Sequence, residues 1–363
     1  MSSRQATVTV DLNAIQQNFN YVRELAPASR VMAVIKADAY GHGAIQVARK
    51  LTGAEAFGVA RVSEAVKLRE AGVQGNICLL EGVIDKEEVN LASVYELQLV
   101  VHSRQQIELL SVRGARRPVW IKVDTGMGRL GLKPEEVEAS FAELGRQKVL
   151  GLMTHFPTAN EARDESAPRQ LEAMSALAKK LETIAPQAAV LNMANSAGVM
   201  TVPDSRADWV RPGLMLYGAS PMAACTEDPA LTPAMRFSAP VVAVRRIKTG
   251  DTVGYGSTWQ ASDNCRLAVV AAGYADGYPR EIAAGTKVLV NGEEREIVGR
   301  VSMDMLTVQL ADADSVDPGD QVVLWGEGLP IEQVARQADT IPYTLMCGIG
   351  SRVRRVYRGE VRG

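Results

Sequence analysis

The sequence predicts an α/β fold, an N-terminal (β/α)8 TIM barrel followed by a C-terminal all-β domain, and three observations support it. Eight short β-branched runs alternate with segments of helical period over the first two thirds of the chain. Beyond about residue 230 the pattern changes to closely spaced alternating strands with hairpin punctuation. At 363 residues, the chain also exceeds what one hydrophobic core usually fills. An open Rossmann-type sheet is the runner-up for the first part, but nothing resembling GxGxxG follows its first strand.

The expected division is a strand within residues 1–10, a barrel over 11–230 and a β domain over 231–363. The opening run Thr7–Asp11 (TVTVD) has no helix-strand period of its own, so it is expected to pack with the C-terminal domain. The barrel runs are Val31–Lys36, Ala56–Ala60, Ile77–Glu81, Leu97–Val101, Pro118–Val123, Val149–His155, Ala189–Met193 and Trp209–Tyr217. Segments such as Ser63–Ala71, Ser103–Val112, Pro134–Leu144 and Pro168–Ile184 place apolar residues at three-to-four spacing, as helices that cover a barrel must. In the β domain, KVLVNGEEREIVGRV reads as a hairpin turning at Asn291-Gly292.

Composition narrows the function. With 40 Lys+Arg against 42 Asp+Glu the net charge is −2, which leaves no basic stripe for nucleic-acid phosphates. The opening residues lack the apolar stretch of a secretory leader, and no run of about 18 apolar residues occurs, so a cytoplasmic protein without a membrane span is expected. Cys78, Cys225, Cys265 and Cys347 show no CxxC spacing; three lie in apolar stretches and read as buried reduced thiols, with no metal expected.

In a barrel, chemistry gathers at the C-terminal ends of the strands. Lys36 ends the first barrel run and is followed by a tyrosine and a histidine between glycines. Such a lysine is either a solvated strand end or a desolvated amine able to form a Schiff base with a carbonyl. After the seventh run come Asn195, Ser196 and Ala197, and in the eighth Arg211, Pro212, Gly213 and Leu214, loops where barrels commonly hold phosphate. Joined to a Schiff-base lysine, they suggest pyridoxal 5′-phosphate. Lys122 and Asp124 share a face by the period of two, and Arg129 beyond them can clamp an anion. His155 ends the sixth run in a hydrogen-bonding position; His102 reads as structural and His42 as a helix-start residue. Tyr255 stands between Gly254 and Gly256, either as a packed strand tyrosine or as an acid or base whose pKa neighbours must lower.

Together the segments AVIKADAYGHG, KVDTGMGRLG, THF, NSA, DWVRPGLMLYG, VGYGSTW, GYADGYPR, VGRVSMDM and IPY, in that order, resemble the alanine racemase family of fold type III pyridoxal-phosphate enzymes. The resemblance spans essentially the whole chain. It implies a racemase of L- and D-alanine in which Lys36 carries the cofactor and serves as the base for D-alanine, while Tyr255 is the base for L-alanine. It further implies phosphate contacts from Tyr40, Ser196, Tyr343 and the backbone of Gly213 and Leu214, with Arg211 at the pyridine nitrogen and His155 hydrogen-bonded toward it as a relay. Arg129 is implied near the phenolic oxygen and the substrate carboxylate, the Met303 backbone at that carboxylate, and Lys122 as a carbamate that orients Arg129. The family implies a homodimer in which the partner subunit's Tyr255 completes each site. Tyr274, Arg280 and Arg300 match residues of the family's substrate corridor, where Asn160 departs from the usual aspartate. The resemblance leaves open whether D-alanine is made for peptidoglycan or consumed. Its enzymatic rival is a basic amino-acid decarboxylase, which needs no second base; a non-catalytic pyridoxal-phosphate carrier is usually a lone barrel.

Overall fold

The computed structural model describes residues 5–111, 117–145, 147–161, 165–222 and 230–359. The chain divides into two units, one comprising Asn18–Leu216 with Pro221–Ala224, the other Met1–Gln17, Tyr217–Ser220 and Cys225–Gly363.

The chain opens with β1 (Thr7–Asp11) and α1 (Leu12–Leu25). Eight parallel strands then close into a barrel: β2 (Arg30–Val34), β3 (Ala56–Val59), β4 (Asn76–Leu79), β5 (Gln98–Val101), β6 (Pro118–Lys122), β7 (Lys148–Met153), β8 (Leu191–Ala194) and β9 (Trp209–Val210). The closing pair is β9 with β2, where Trp209 and Val210 stand opposite Arg30 and Val31. Between the strands lie α2 (Lys36–Tyr40), α3 (Ala44–Lys50), α4 (Val62–Glu70), α5 (Lys86–Val94), α6 (Arg104–Ser111), α7 (Val137–Leu144), α8 (Ser166–Ile184) and α9 (Ser196–Thr201). On α8 the buried positions are Ala167, Gln170, Met174, Leu177 and Leu181, the apolar stripe of a helix laid on a sheet with one glutamine set into it.

The barrel is packed rather than hollow. Met32, Ala56, Cys78, Val100, Trp120, Met153 and Trp209 form one buried cluster drawn from seven strands, as the interior of a closed barrel allows. Trp120 and Trp209 meet edge to face with centroids 5.6 Å apart, and the Trp120 indole N–H donates to Gln98 Oε1 at 3.2 Å.

The last barrel strand is shorter than its expected run. Trp209–Tyr217 breaks after Val210 because Pro212 has no N–H to give a ladder; its carbonyl still accepts the Val34 N–H at 2.9 Å, and Leu214–Tyr217 coils into a 3₁₀ turn. The first run likewise ends at Val34, so Lys36 stands two residues past its strand, and His155 two past Met153.

Among the described residues the second unit is antiparallel apart from the β1–β18 pairing. Its strands are β10 (Met235–Ile247), β11 (Thr252–Val253), β12 (Trp259–Gln260), β13 (Cys265–Val270), β14 (Lys287–Val290), β15 (Glu293–Val298), β16 (Leu306–Leu310), β17 (Gln321–Trp325) and β18 (Arg354–Arg358), with helices α10 (Ile331–Gln337) and α11 (Pro342–Cys347). The sheet order β13-β16-β15-β14-β17-β10-β1-β18 turns back on itself through a β10–β13 pairing. As expected, β1 joins this unit, antiparallel to β10 and parallel to β18, with Val8 and Val10 buried on the alternate positions of TVTVD. Asn291 and Gly292 adopt φ of 53° and 86°, the positive pair that a two-residue hairpin turn demands.

The cysteine expectation needs correction. Cys78 is buried in the barrel core, but Cys265 is half-buried and Cys347 exposed at the end of α11, where the sequence period does not continue into a core. Cys225, and Val112 at the end of an expected helix, lie outside the described residues. No described helix is long and apolar enough to cross a membrane, and the described residues contain no cluster suited to a metal ion.

Candidate active site

Lys36 opens a turn whose backbone winds the wrong way. Ala37, Asp38, Ala39 and Tyr40 take φ of 52°, 53°, 54° and 49°, and Gly41 follows at 78°. A left-handed residue other than glycine costs roughly 1–2 kcal/mol, so four in succession persist only because the surroundings dictate them. The turn is bonded internally from Ala39 N–H to Ile35 O at 2.9 Å and from Gly41 N–H to Ala37 O at 3.0 Å. Asp38 Oδ1 accepts the Ala44 N–H at 2.9 Å, fastening the turn to α3. His42, expected at a helix start, is instead buried just before α3, with Nδ1 at 3.0 and 2.9 Å from the carbonyls of Ala39 and Tyr40. Two carbonyl partners make that nitrogen the protonated one.

The turn delivers Tyr40 to the loops after β8 and β9. A Cβ at Gly213 would lie 2.6 Å from Tyr40 Oη, so only glycine permits this approach. Beside it, the buried Ser196 Oγ accepts the N–H groups of Gly213 at 2.9 Å and Met215 at 3.3 Å, and Asn195 caps α9 through the Gly198 N–H. Leu214, in the same loop, is buried. Two hydroxyls and backbone amides thus converge where the sequence places a phosphate.

The rest of the mouth is crowded with positive charge. Arg211 is buried, donating to Asn192 O and Oδ1 at 2.5 and 2.6 Å and to the carbonyls of Thr154 and Met193 at 2.5 and 3.2 Å. Burial lowers its pKa to about 10, which leaves the guanidinium charged at neutral pH. Lys122, the last residue of β6, falls to about 8, through burial first and then through Arg211, Arg129 and Lys36. His155 is pushed down to about 3 by burial and by the same cations, so its ring is neutral. Among the described residues only Glu81 acts against this on Lys122.

These features test whether pyridoxal phosphate suits the chain. Four cations act on His155, and among the described residues only Glu81 opposes them on Lys122; with the Tyr40 and Ser196 hydroxyls at Gly213 they form a donor set for an anionic aromatic phosphate. The residues fit the group.

Two expectations are corrected here. His155 is not bonded to Arg211; its Nε2 lies 3.4 Å from Asn195 Nδ2, while the guanidinium is taken up by Asn192 and backbone carbonyls. Asp124 does not share an interior face with Lys122, because the strand ends between them; it pairs with Lys133 at 2.8 Å and accepts the amides of Gly126 and Gly128, which holds its carboxyl at about 2. This fastens the loop that carries the exposed Arg129, and bonds between Lys122 and Leu132 and between Asp124 and Leu132 close its ends. His102 is structural as expected: its Nε2 meets Glu81 O at 3.1 Å and its amide donates to Gln106. Asn160 lies half-buried in a turn after β7.

Sequence reasoning missed Asn192, Glu64 and Gln170. Asn192, fully buried in an apolar strand, holds Arg211, and its own Nδ2 has no partner among the described residues; a lone amide inside AVLNM was the available signal. Gln170 donates to Thr125 Oγ1 at 2.8 Å and to His155 O at 3.1 Å from the apolar face of α8.

In the second unit, Tyr255 is neither in a strand nor packed. It sits on a 3₁₀ turn between β11 and β12, 69% exposed, because Gly254 and Gly256 take φ of 79° and 75° and bend the chain out of the sheet. The turn lies against Gly299 and Arg300: a Cβ on Gly299 would fall 2.8 Å from Val253 O, and one on Gly254 3.2 Å from Arg300 N. Met303 is 52% exposed, and its carbonyl accepts the Ala275 N–H at 3.0 Å next to the bond from Tyr274 N–H to Ser302 O. Arg352, paired with Asp276 and Asp304 at 2.7 Å each, ties that turn to the Met303 loop. Arg280 pairs with Glu281 at 2.6 Å. Half-buried Tyr343 on α11 has its phenol pushed up to about 12 by burial.

Comparison with known proteins adds the following. The model of the alanine racemase N-terminal domain matches residues 10–221 and that of the C-terminal domain residues 234–357. An alanine racemase of Nitrosococcus oceani is 46% identical over 353 residues, 95% of this chain and 97% of that protein. The biosynthetic alanine racemase of Escherichia coli is 41% identical over 360 residues, 97% of this chain and 99% of that one. Among solved structures, the biosynthetic enzyme of Pseudomonas aeruginosa aligns with a TM-score of 0.90 at 39% identity, covering 98% of this chain and 99% of that one. The alanine racemase of Bartonella henselae, with covalently bound pyridoxal phosphate, aligns at 0.88 and 31% identity, covering 98% and 99%.

Proposed function

The chain belongs to the alanine racemase family and interconverts L-alanine and D-alanine with pyridoxal 5′-phosphate, and we propose that Lys36 and Tyr255 are the two bases that do so. The observation that carries this reading is the barrel mouth, where Lys36 opens a turn that brings Tyr40 against Gly213 and Ser196 among four cations.

Tyr40, Ser196 and the backbone of Gly213 and Leu214 would hold the phosphate, and Lys36 the carbonyl carbon. When bound, the cofactor supplies an electron-withdrawing ring that acidifies the α-hydrogen of alanine. Arg211 would face the ring nitrogen. Held by four hydrogen bonds and charged at neutral pH, the guanidinium would leave that nitrogen unprotonated and so moderate the electron withdrawal the cofactor supplies. Arg129 would lie near the phenolic oxygen and receive the substrate carboxylate.

Inversion needs one group to take the α-proton from one face and another to return a proton to the opposite face. Lys36 serves the D-face and Tyr255 the L-face. Tyr255 is exposed, and among the described residues its hydroxyl makes no hydrogen bond. In a homodimer the partner subunit's Tyr255 would enter each site. Lys122, with its pKa near 8, exposes free amine at mildly alkaline pH, the form that adds carbon dioxide with loss of a proton; the resulting anion would orient Arg129. His155, neutral and bonded to Asn195, would pack the mouth without adding charge.

Chiral chromatography of L-alanine incubated with the protein and pyridoxal phosphate, beside L-lysine and L-serine, tests the reading. D-alanine rising toward an equal mixture supports it. No D-alanine with cofactor bound contradicts it, and carbon dioxide release from lysine would then mark a decarboxylase.

A further inference from the structure

Lys36 is followed by a left-handed turn whose first peptide is not held by the turn itself. The Ala37 N–H, the one closest to the lysine, donates to Glu64 Oε1 at 2.6 Å. The other oxygen of the same carboxylate, Oε2, accepts the N–H groups of Ala60 at 2.8 Å and Arg61 at 3.0 Å. Glu64 stands in the first turn of α4, so the bond to Arg61 is an ordinary helix cap. The bond to Ala37 is not: it crosses from α4 to the turn after β2, where four successive residues other than glycine take positive φ. The remaining fastenings act further along, through Asp38 on Ala44 and His42 on the carbonyls of Ala39 and Tyr40.

We propose that Glu64 is a positioning residue for Lys36: its carboxylate fixes the first peptide of the left-handed turn and so fixes where the lysine amine stands at the barrel mouth. This rests on the reading of Lys36 as the cofactor lysine and base. A carboxylate suits the task because both oxygens accept, so one side chain serves amides from two loops; a glutamine would turn its NH₂ toward one of them. The proposal also explains how alanine, with no glycine's freedom, is kept at φ 52° directly after the lysine.

The test uses the holoenzyme and the cofactor-free protein in parallel. Loss of a hydrogen bond to a charged acceptor predicts that Glu64→Gln lowers kcat for alanine about tenfold while KM moves less than about twofold. Cofactor retention should weaken, and amide exchange at Ala37 in the cofactor-free protein should quicken. Adding Ala37→Gly, which enters positive φ without strain, should restore most of the lost kcat; it lies outside α4 and cannot repair a helix cap. If Glu64→Gln lowers only the melting temperature and leaves kcat, cofactor retention and Ala37 exchange unchanged, Glu64 is a cap and the proposal falls. Should that variant not fold, exchange in the wild-type cofactor-free protein decides: Ala37 protected as well as Ala60 and Arg61 supports the clamp, and fast exchange at Ala37 alone overturns it. Amide exchange is read without turnover, so a protein that racemises nothing would sink the functional reading without deciding this one.

Discussion

Lys36 stands at a barrel mouth where burial and neighbouring cations bring Lys122 to about 8 and His155 to about 3, whereas Tyr255 stands on a glycine-bent turn that is 69% exposed. The barrel generates its electrostatics from its own strands. The β unit generates geometry: Gly299 admits Val253 O, Gly254 lies against Arg300, and Arg352 ties the Met303 loop to the turn beside it. The contrast teaches that the two proposed bases sit in different surroundings, Lys36 among the cations of the barrel mouth and Tyr255 on an exposed, glycine-bent turn.

The largest effect should come from separating the two halves. Lys36→Ala and Tyr255→Phe should each abolish racemisation to within detection, a loss of at least about 10²-fold for a missing acid-base group. Mixing the two inactive proteins under conditions that exchange subunits should recover about a quarter of wild-type activity, because half the dimers are mixed and each has one intact site. No recovery would place both bases on one chain.

A smaller loss is expected at the cradle. Gly213→Ala sets a methyl group against Tyr40 Oη, so the cofactor dissociation constant should rise about tenfold, as a displaced hydrogen-bonding group predicts. Tyr40→Phe in the Gly213→Ala background should relieve only part of this, since the ring carbons would also lie 3.2 and 3.3 Å from the new Cβ. Equilibrium dialysis measures both.

The last effect is on stability rather than activity and concerns His155. Its pKa is lowered in the fold from 6.5 to about 3, so between those values the unfolded chain takes up a proton that the folded chain refuses. Its contribution therefore makes the cofactor-free protein less stable as pH falls through that window, and is absent above it. Imidazole NMR should show His155 neutral at pH 5, and His155→Asn should flatten the acid slope of stability. A His155 that titrates near 6.5 would remove the crowded cations from the account.

Much of this was legible in the chain. The eight strands, the Asn291-Gly292 hairpin and the pairing of β1 with the β unit follow from period and turn chemistry, which are local. The left-handed turn was not, because Ala37, Asp38 and Ala39 carry no glycine to announce positive φ, and one of the bonds that meet it, from the Ala37 N–H to Glu64, comes from a residue 27 positions away. The shortening of β9 could be read from Pro212, but the partners of Arg211 could not, since Asn192 and Thr154 come to it from other strands. The burial of a mouth residue is a property of the closed barrel, and so is its pKa.

The central claim, a lysine and a tyrosine on opposite faces of one carbon, is tested most directly by α-hydrogen exchange in deuterated water. With Tyr255→Phe holoenzyme, D-alanine should still exchange its α-hydrogen through Lys36 while L-alanine does not, and neither should invert. Equal exchange of both enantiomers, or inversion near the wild-type rate, would contradict the assignment.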